Sequence, residues 1–326
     1  MKTIHSHVQR GIAQLAQAAT LLAALAVMPA TAQGLPPIYD RTPVQTAPAT
    51  TVAEFGTGEF LENLAIGPGG VLFVNSYQAG KVYRIAADGK PAVWATVEGT
   101  IAGIALNPDG SALLSGWVGG KEPAVFAVDP AGRSSVLMRL PGAEFPNGVV
   151  RLSADRYLVA DSYRGLIWQV DTRRKAAEVW LQHDSLARAS TANPTPAVNG
   201  LKLHGGVLYA SNTARQLLVK VPVVDGRAGA LEVVMKNIGI DDFDFDDQGA
   251  LYGATHVYNS LVRLAPDGTL SVIAGLAQGM AGSTAVAYSA AGGGQVYVTT
   301  NGGVSLPPPG GVQTGKVIRV SVPVRP

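Results

Sequence analysis

Hydrophobic and polar residues alternate in short runs in this chain, and the repeated part of the sequence lacks helical periodicity. The first group of runs predicts strands at 63–66, 71–75, 81–85 and 92–97, separated by clusters of glycine, proline and aspartate. Such clusters form the turns between short antiparallel strands. The pattern therefore predicts a unit of four antiparallel strands.

This four-strand unit recurs along the chain. Successive units begin 40, 45, 52, 42 and 42 residues apart. Their opening residues are Glu62, Ala102, Asn147, Asn199, Asp241 and Ser283. A period of roughly 40–50 residues is typical of propellers and solenoids. Six units of four strands predict an all-β protein, a six-bladed β-propeller with four-stranded antiparallel blades.

The ends of the repeated region predict how the ring closes. The last unit stops after three strands, the third of which falls at 316–320. The segment 51–55, just before the first unit, can supply the missing outer strand. Pairing the N-terminal and C-terminal strands would leave no open sheet edge at the seam. A count of five or seven blades would leave one segment unexplained.

Residues 1–32 have the pattern of a secretory signal peptide. Lys2 and Arg10 accompany the apolar stretch 12–27, and Ala30-Thr31-Ala32 forms a small-residue cleavage site. An uncleaved N-terminal anchor is the alternative interpretation. Residues 33–49 are interpreted as a linker rich in proline, threonine and alanine, and residues 50–326 as the propeller domain. We expect a periplasmic or secreted protein that has no membrane contact after cleavage.

Removal of the leader balances the charges of the chain. The leader holds two of the 25 lysines and arginines and none of the 23 acidic residues, which leaves 23 of each sign. This balance does not indicate nucleic acid or an anionic membrane as a partner. Cysteine is absent, which excludes disulfides, thiolate metal sites and a cysteine nucleophile. We expect a monomer that binds a small-molecule substrate.

Four of the six opening residues carry side-chain oxygen atoms: Glu62, Asn147, Asn199 and Asp241. In a propeller these positions meet around one axis. Two carboxylates and two amide carbonyls form a hard ligand set for one divalent cation. Calcium suits this set best, and zinc, magnesium or manganese stay open.

Each of these residues also has a structural alternative. The Asn-Gly pairs at 147–148 and 199–200 could be turn dipeptides. Glu62 could cap a neighbouring backbone, and Asp241 begins the acidic run 241–247, part of which must be a solvated turn. Recurrence at the blade period favours a common site.

The loops after the second strand of each unit should surround the opening residues. The residues expected to line this pocket are Tyr77, Tyr163, His256 and Asn259. Two long connections, at 185–197 and 302–315, fall on the same face. Long loops at one end of a rigid scaffold are typical of lids or substrate walls.

At these positions the chain resembles the senescence-marker-protein/gluconolactonase/luciferin-regenerating-enzyme (SGL) family, over about residues 55–322. The family's first metal-binding glutamate resembles Glu62 in Phe-Leu-Glu-Asn-Leu, and its Asn-Gly ligand resembles Asn199-Gly. Its aspartate ligand resembles Asp241, while Pro-Asn147-Gly matches the substrate-holding segment only in part. The resemblance implies a six-bladed propeller with one divalent cation in its channel.

The resemblance implies a metal-dependent hydrolase that opens a lactone or a related ester. Glu62, Asn199 and Asp241 would be the metal ligands, and Asp241 or a nearby carboxylate would take the proton of the attacking water. Asn147 would orient the substrate or complete the metal shell. One branch of the family is reported to include cyclisation catalysts. A non-hydrolytic cyclase of secondary metabolism and a non-catalytic ligand-binding propeller are therefore the two alternatives.

Overall fold

Six antiparallel sheets make up the described part of the chain, residues 35–322 of the computed structural model. Their first strands contact one another in a ring, so the sheets are the blades of a propeller. The predicted fold class is confirmed. The blades belong to the compact unit Arg41–Pro326. The proposed signal peptide lies outside the described residues, among which no helix is long and apolar enough to span a membrane.

The blades are numbered 1–6 in chain order, and the strands of each are a, b, c and d from the axis outward. Blade 1 contains Leu61–Ile66, Leu72–Ser76, Lys81–Ile85 and Pro91–Thr96. Blade 2 contains Gly99–Leu106, Ala112–Val118, Glu122–Val128 and Ser134–Arg139. Blade 3 contains Pro146–Arg151, Arg156–Asp161, Leu166–Asp171 and Ala176–Gln182.

Blade 4 contains Val198–His204, Val207–Asn212, Leu217–Val224 and Glu232–Lys236, and the two-residue strand Arg227–Ala228 pairs with the end of its strand c. Blade 5 contains Phe243–Phe245, Leu251–Ala254, Leu261–Leu264 and Leu270–Ala274. Short 3-10 turns occur at Pro68–Gly70, Asp184–Leu186 and Leu276–Gln278.

Blade 6 is assembled from both ends of the described chain. Its strands a to c are Ser283–Ser289, Gln295–Thr300 and Thr314–Ser321, and its strand d is Ala49–Thr57. This outer strand pairs antiparallel with strand c, with Ala49 opposite Val320 and Thr51 opposite Ile318. The predicted closure by the segment at 51–55 is therefore confirmed.

Residues 43–47, within the stretch interpreted as a linker, hydrogen-bond to the outer strand of blade 5. The backbone amides of Gln45 and Ala47 donate to the carbonyls of Val272 and Ile273, each at 2.8 Å. Val44 also pairs in parallel with Val272. This segment thus covers the edge of blade 5 before the chain enters blade 6.

Apolar side chains pack between neighbouring blades. Between blades 1 and 2, Val82, Ile101 and Leu114 are at most 1 % exposed. Between blades 5 and 6, the core includes Val286 and Ile318. Burying each such side chain contributes about 1.5–3 kcal/mol before the entropy of ordering is counted. This packing fixes the blades and leaves the inner strand ends free to carry polar residues.

Near the opening residues, a ring of hydrogen bonds joins every blade to the next, and each bond involves at least one side chain. Five of the six links run from a side chain of one blade to a backbone carbonyl of the next, and the link between blades 5 and 6 runs from a backbone amide to a hydroxyl. They are Asn75 Nδ2 to Ile101 and Ala102, Ser115 Oγ to Asn147, Ser162 Oγ to Val198, Ser211 Oγ to Asp241, Thr255 N to Ser283 Oγ, and Thr284 Oγ1 to Leu61. The opening residues are therefore held by blade-to-blade bonds and not by loops alone.

Glycine after the opening residue allows neighbouring inner strands to approach closely. A Cβ on Gly148 would lie 2.3 Å from the Asn199 carbonyl oxygen, and one on Gly103 would lie 2.5 Å from the Asn147 carbonyl oxygen. The two Asn-Gly pairs lie within strand a of blades 3 and 4, and neither glycine has a positive φ. The turn interpretation of these pairs is therefore wrong.

Candidate functional site

Three of the opening residues come together at one end of the channel. Asn199 Nδ2, from blade 4, donates a hydrogen bond to Asp241 Oδ1, from blade 5. Asn199 and Asp241 are only 5 % and 4 % exposed. Glu62, from blade 1, approaches from the other side. Burial, and repulsion from the carboxylates of Asp241 and Asp242, raise the pKa of Glu62 well above its ordinary 4.5.

Glu62 carries an unsatisfied buried oxygen. Its Oε2 atom is buried and lacks a hydrogen-bond partner among the described residues. Burying a carboxylate oxygen without a partner costs free energy, and adjacent negative charge adds to that cost. A divalent cation between Glu62 and Asp241 would remove both costs. The donor chemistry of this end of the channel therefore fits a bound cation.

The metal ligands predicted from sequence fit that cation in residue type. Asn199 uses its Nδ2 atom as a donor to Asp241 and to Thr213 Oγ1, which leaves its carbonyl oxygen as its ligand atom. Between residues 35 and 322, no group of three or more His, Cys, Asp or Glu side chains is arranged to hold a metal ion. The predicted set has only two such side chains, those of Glu62 and Asp241, and would be completed by an amide.

His256 and Asn301 hold the second oxygen of Asp241. His256 Nδ1 lies 2.9 Å from Asp241 Oδ2, and Asn301 Nδ2 lies 2.9 Å from His256 Nε2. Asn301 Oδ1 accepts hydrogen bonds from the backbone amides of Gly303 and Val304. This orientation points the Asn301 NH2 group at the imidazole, so Nε2 accepts and the proton resides on Nδ1. His256 therefore donates to Asp241.

A turn in the left-handed backbone region places His256. His256 has a φ of 48° and Asn259 a φ of 54°. Such backbone costs on the order of 1–3 kcal/mol for a residue other than glycine and is often found at functional sites. Asn259 Oδ1 accepts from the Gly282 amide at 2.7 Å. Asn259 thus anchors the turn to blade 6, and its place in the pocket lining stays a prediction.

Asn147 stands apart from the other three polar opening residues. Its Nδ2 atom donates to Ser162 Oγ at 3.2 Å, and its side chain is 2 % exposed. Within the described chain, no hydrogen bond joins Asn147 to Glu62, Asn199 or Asp241. Asn147 lies in the ring of opening residues, and its amide group hydrogen-bonds to Ser162 within blade 3.

A second buried polar layer lies beside the site, and the sequence analysis missed it. Asp242 Oδ2 accepts from Asn63 Nδ2 at 3.1 Å and from Lys202 Nζ at 3.2 Å. Burial raises the pKa of Asp242, and Lys202 opposes that rise. Burial would lower the pKa of Lys202, but the carboxylates of Asp242 and Asp244 raise it above 10.5. Lys202 is therefore protonated at neutral pH, and the hydrogen bonds that Asp242 accepts join blades 1, 4 and 5.

This layer had a signal in the sequence. Blades 2, 3 and 4 have glycine after the opening residue, whereas blade 5 has Asp242. The side chain of Asp242 occupies the space that Gly200 leaves free, since a Cβ on Gly200 would lie 2.4 Å from Asp242 Oδ1. A carboxylate in place of a repeated glycine indicates a buried cationic partner, which is Lys202 here.

Tyr77 and Tyr163 lie at the same end of the channel. Burial, and then the neighbouring Glu62 and Tyr163, raise the pKa of Tyr77 to about 12. Tyr163 donates to the Pro194 carbonyl at 3.0 Å, and the Arg188 guanidinium lies 4.3 Å from the centre of its ring. The connection predicted at 185–197 therefore covers Tyr163, as expected of a wall.

Comparisons with known proteins found solved structures with a similar fold. No protein-family model matches the chain, and no curated protein matches it. Regucalcin from Agrobacterium tumefaciens, described as a calcium-binding protein, has a TM-score of 0.64 at 16% identity, covering 86% of this chain and 95% of its own. A gluconolactonase from Xanthomonas campestris has a TM-score of 0.61 at 14% identity, covering 84% of this chain and 90% of its own.

A third structure has a different activity in its description. Virginiamycin B lyase from Staphylococcus aureus has a TM-score of 0.54 at 12% identity, covering 79% of this chain and 80% of its own. Identities this low show the fold alone. The chain thus shares its six-bladed propeller fold with regucalcin-like and gluconolactonase-like proteins.

Proposed function

We propose that the mature protein is a divalent-metal-dependent hydrolase that opens a lactone or a related ester. The observation that carries the proposal is the buried, unpartnered Oε2 atom of Glu62 beside Asp241. Calcium is the proposed cation, and zinc, magnesium and manganese are alternatives that oxygen donors accept. The likeness to a calcium-binding regucalcin supports the proposed cation, and the likeness to a gluconolactonase supports the proposed opening of a lactone.

The residues of the site have distinct roles in this proposal. Glu62, Asp241 and the Asn199 carbonyl would hold the cation, which supplies polarisation of the substrate carbonyl and a more acidic water. Asp241 takes the proton from the attacking water, while Asn199 and His256 hold its two oxygens by hydrogen bonds. Tyr77 stays protonated at neutral pH because its pKa is about 12, so it donates a hydrogen bond to the substrate.

Two further roles belong to substrate binding and to location. Asn147 orients the substrate near its reacting carbonyl, and Tyr163 lines the pocket under the connection at 185–197. The composition of residues 1–32 supports export and cleavage of the leader, with the mature protein acting as a periplasmic or secreted monomer.

The proposal is tested by metal content and lactone turnover of the mature protein. We expect about one divalent ion per chain by elemental analysis after purification without chelator. Exhaustive chelation should reduce hydrolysis of a panel of γ- and δ-lactones by about 100-fold or more, and calcium or zinc should restore it. Asp241→Asn keeps the shape of the side chain and should lose turnover to a similar degree.

Asp247→Asn is the matched control, because Asp247 belongs to the same acidic run but is exposed. It should hydrolyse lactones as the wild type does. Absence of a bound metal, together with unchanged turnover in Asp241→Asn, would overturn the mechanism. Lactone hydrolysis that survives chelation would also overturn the metal-dependent mechanism, and tight binding without turnover would indicate a binding propeller.

A further inference from the structure

Five aromatic rings form a continuous series around one half of the channel mouth. The members of this aromatic arc are Phe60, Tyr77, Trp117, Phe145 and Tyr163. Successive ring centres lie 5.5, 6.0, 4.8 and 4.8 Å apart, in tilted or edge-to-face geometry. Aromatic rings prefer these arrangements, so each ring holds its neighbours in place.

The arc arises from equivalent positions in blades 1, 2 and 3. Phe60 and Phe145 directly precede strand a of blades 1 and 3, and Tyr77 directly follows strand b of blade 1. Trp117 lies near the end of strand b of blade 2, and Tyr163 lies two residues after strand b of blade 3. All of them therefore lie at the end of the channel that carries Glu62.

The arc does not belong to the apolar clusters between the blades. None of its members belongs to the apolar clusters that pack the described blades against one another. Four of the five rings are partly exposed, whereas Trp117 is 7 % exposed and donates its indole N–H to the Glu144 carbonyl. Partly exposed rings at a channel mouth that do not serve the core are available to a ligand.

The other half of the mouth is polar. One or two residues after strand b, blades 4, 5 and 6 carry Thr213, His256 and Asn301 where blades 1 and 3 carry tyrosines. Phe60 links the two halves, since its ring lies 6.0 Å from that of His256 in edge-to-face contact. The arc thus ends beside the imidazole of His256, which holds Asp241. A substrate whose reacting group lies at Asp241 would therefore place an adjoining apolar group on the arc.

We propose that the substrate carries an aromatic or conjugated ring system fused to or directly beside its reacting carbonyl, and that the aromatic arc binds this ring system. The inference rests on the proposed lactone-opening function and names the substrate class of that site. An aliphatic or sugar lactone would leave the arc in contact with water, whereas a flat ring would stack on it.

The test separates ring recognition from hydrolysis by using lactams, which keep the cyclic carbonyl and resist opening. Calorimetric titration of the metal-loaded protein compares the benzo-fused lactam 3,4-dihydro-2-quinolinone with the simple ring 2-piperidinone. We expect the benzo-fused lactam to bind at least about tenfold more tightly. Phe145→Leu and Tyr163→Leu should each move the ratio of the two dissociation constants several-fold toward one.

Two controls keep the outcome specific to the arc. Phe145→Tyr retains a ring and should preserve the ratio. Tyr83→Leu removes a ring of similar exposure that packs on Phe55, 5.0 Å away and outside the arc, and should also preserve it. Equal binding of the two lactams by the wild type, or an unchanged ratio in folded Phe145→Leu and Tyr163→Leu, would overturn the inference.

Turnover of the matching lactones shows which proposal fails. If 3,4-dihydrocoumarin and δ-valerolactone are both left intact while the lactam preference depends on the arc, the aromatic substrate class holds and the hydrolase proposal falls. If both lactones are opened with equal kcat/KM and the lactams bind equally, the hydrolase holds and the aromatic substrate class falls.

Discussion

At the scale of single residues, the surroundings of Glu62 favour a bound ligand. Its buried Oε2 atom lacks a partner, and it faces two other carboxylates across the channel. An interior that served only stability would place an apolar residue or a donor at this position. The same carboxylate therefore weakens the metal-free fold and would provide binding free energy for the proposed cation.

The metal-free protein should lose stability as the pH rises, because of Glu62. Its folded-state pKa is raised above 4.5, so the folded protein retains a proton that the unfolded chain releases. Stability is then fully present below that value and falls toward the folded-state pKa by up to about 1.4 kcal/mol per pH unit. Urea unfolding of chelator-treated wild type and Glu62→Gln between pH 5 and 8 should show a flatter profile for the variant.

The control for this experiment is Glu98→Gln, which neutralises an exposed glutamate. It should reproduce the wild-type profile. Calcium should raise the melting temperature of the wild type at pH 7 and leave that of Glu62→Gln unchanged. Identical profiles for Glu62→Gln and the wild type would show that the carboxylate is already satisfied in solution.

The residue types of the proposed site could be identified from the sequence, whereas the contacts around it could not. The repeat period gives four polar opening residues, and the family resemblance selects Glu62, Asn199 and Asp241 among them as the predicted ligands. The contacts around the site could not be predicted, because they join residues far apart along the chain: Asn199 and Asp241 are 42 residues apart, and Asn63 and Asp242 are 179 apart. A repeat period indicates that two positions lie at the same height along the propeller axis. It does not indicate which atoms are in contact there.

At the scale of strands, the hydrophobic pattern predicted the structure more closely than it predicted the contacts of the site. The strand predicted at 81–85 matches the observed Lys81–Ile85, and the others of blade 1 differ from the structure by one or two residues at their ends. Hydrophobic alternation and turn residues report local backbone directly. The function of glycine in the inner strands was missed, because close approach between blades has no local signal.

Gly148→Ala should therefore destabilise the protein although it improves strand propensity. The new Cβ would lie 2.3 Å from the Asn199 carbonyl oxygen, which must move to avoid it. Overpacking of this kind costs about 1–3 kcal/mol. Gly56→Ala is the control, since nothing lies within 4 Å of its added Cβ. Urea unfolding should show a loss for the first variant only, accompanied by weaker metal binding.

A loss of stability without a change in metal affinity would separate strand packing from the site. Equal stability of the two variants would mean that the inner strands can move apart at no cost. The structure argues against this, because Ser115 of blade 2 binds the Asn147 carbonyl of blade 3, and Ser162 of blade 3 binds the Val198 carbonyl of blade 4.

At the scale of the whole molecule, the part-buried pair of Lys202 and Asp242 joins the neighbouring blades 4 and 5, and Asn63 of blade 1 donates to the same carboxylate. Lys202→Met would leave Asp242 buried without its cation, which costs about 3–5 kcal/mol. Lys220→Met is the control, because Lys220 pairs with Glu232 at the exposed surface of the same blade. Thermal unfolding should show a large decrease for Lys202→Met and an unchanged midpoint for Lys220→Met.

The double variant Lys202→Met with Asp242→Leu gives the decisive comparison. Replacing both partners removes the unpaired charge, so stability should recover relative to Lys202→Met alone. Continued instability of the double variant would mean that the loss came from packing of the lysine stem.

Ring closure is the largest single feature that the sequence predicted, and it can be tested by truncation. A variant beginning at Gly58 lacks Ala49–Thr57 and exposes the edge of strand c in blade 6, whereas a variant beginning at Pro48 keeps that strand. Both variants lack the segment 43–47 that covers blade 5. The shorter variant should melt about 10 °C lower or more and aggregate, because an open edge pairs with other chains. An excess of a synthetic peptide of residues 49–57 should restore part of the loss by mass action. Equal melting of the two truncated proteins would show that the propeller is held closed by its blade-to-blade hydrogen bonds and core, with the outer strand contributing little.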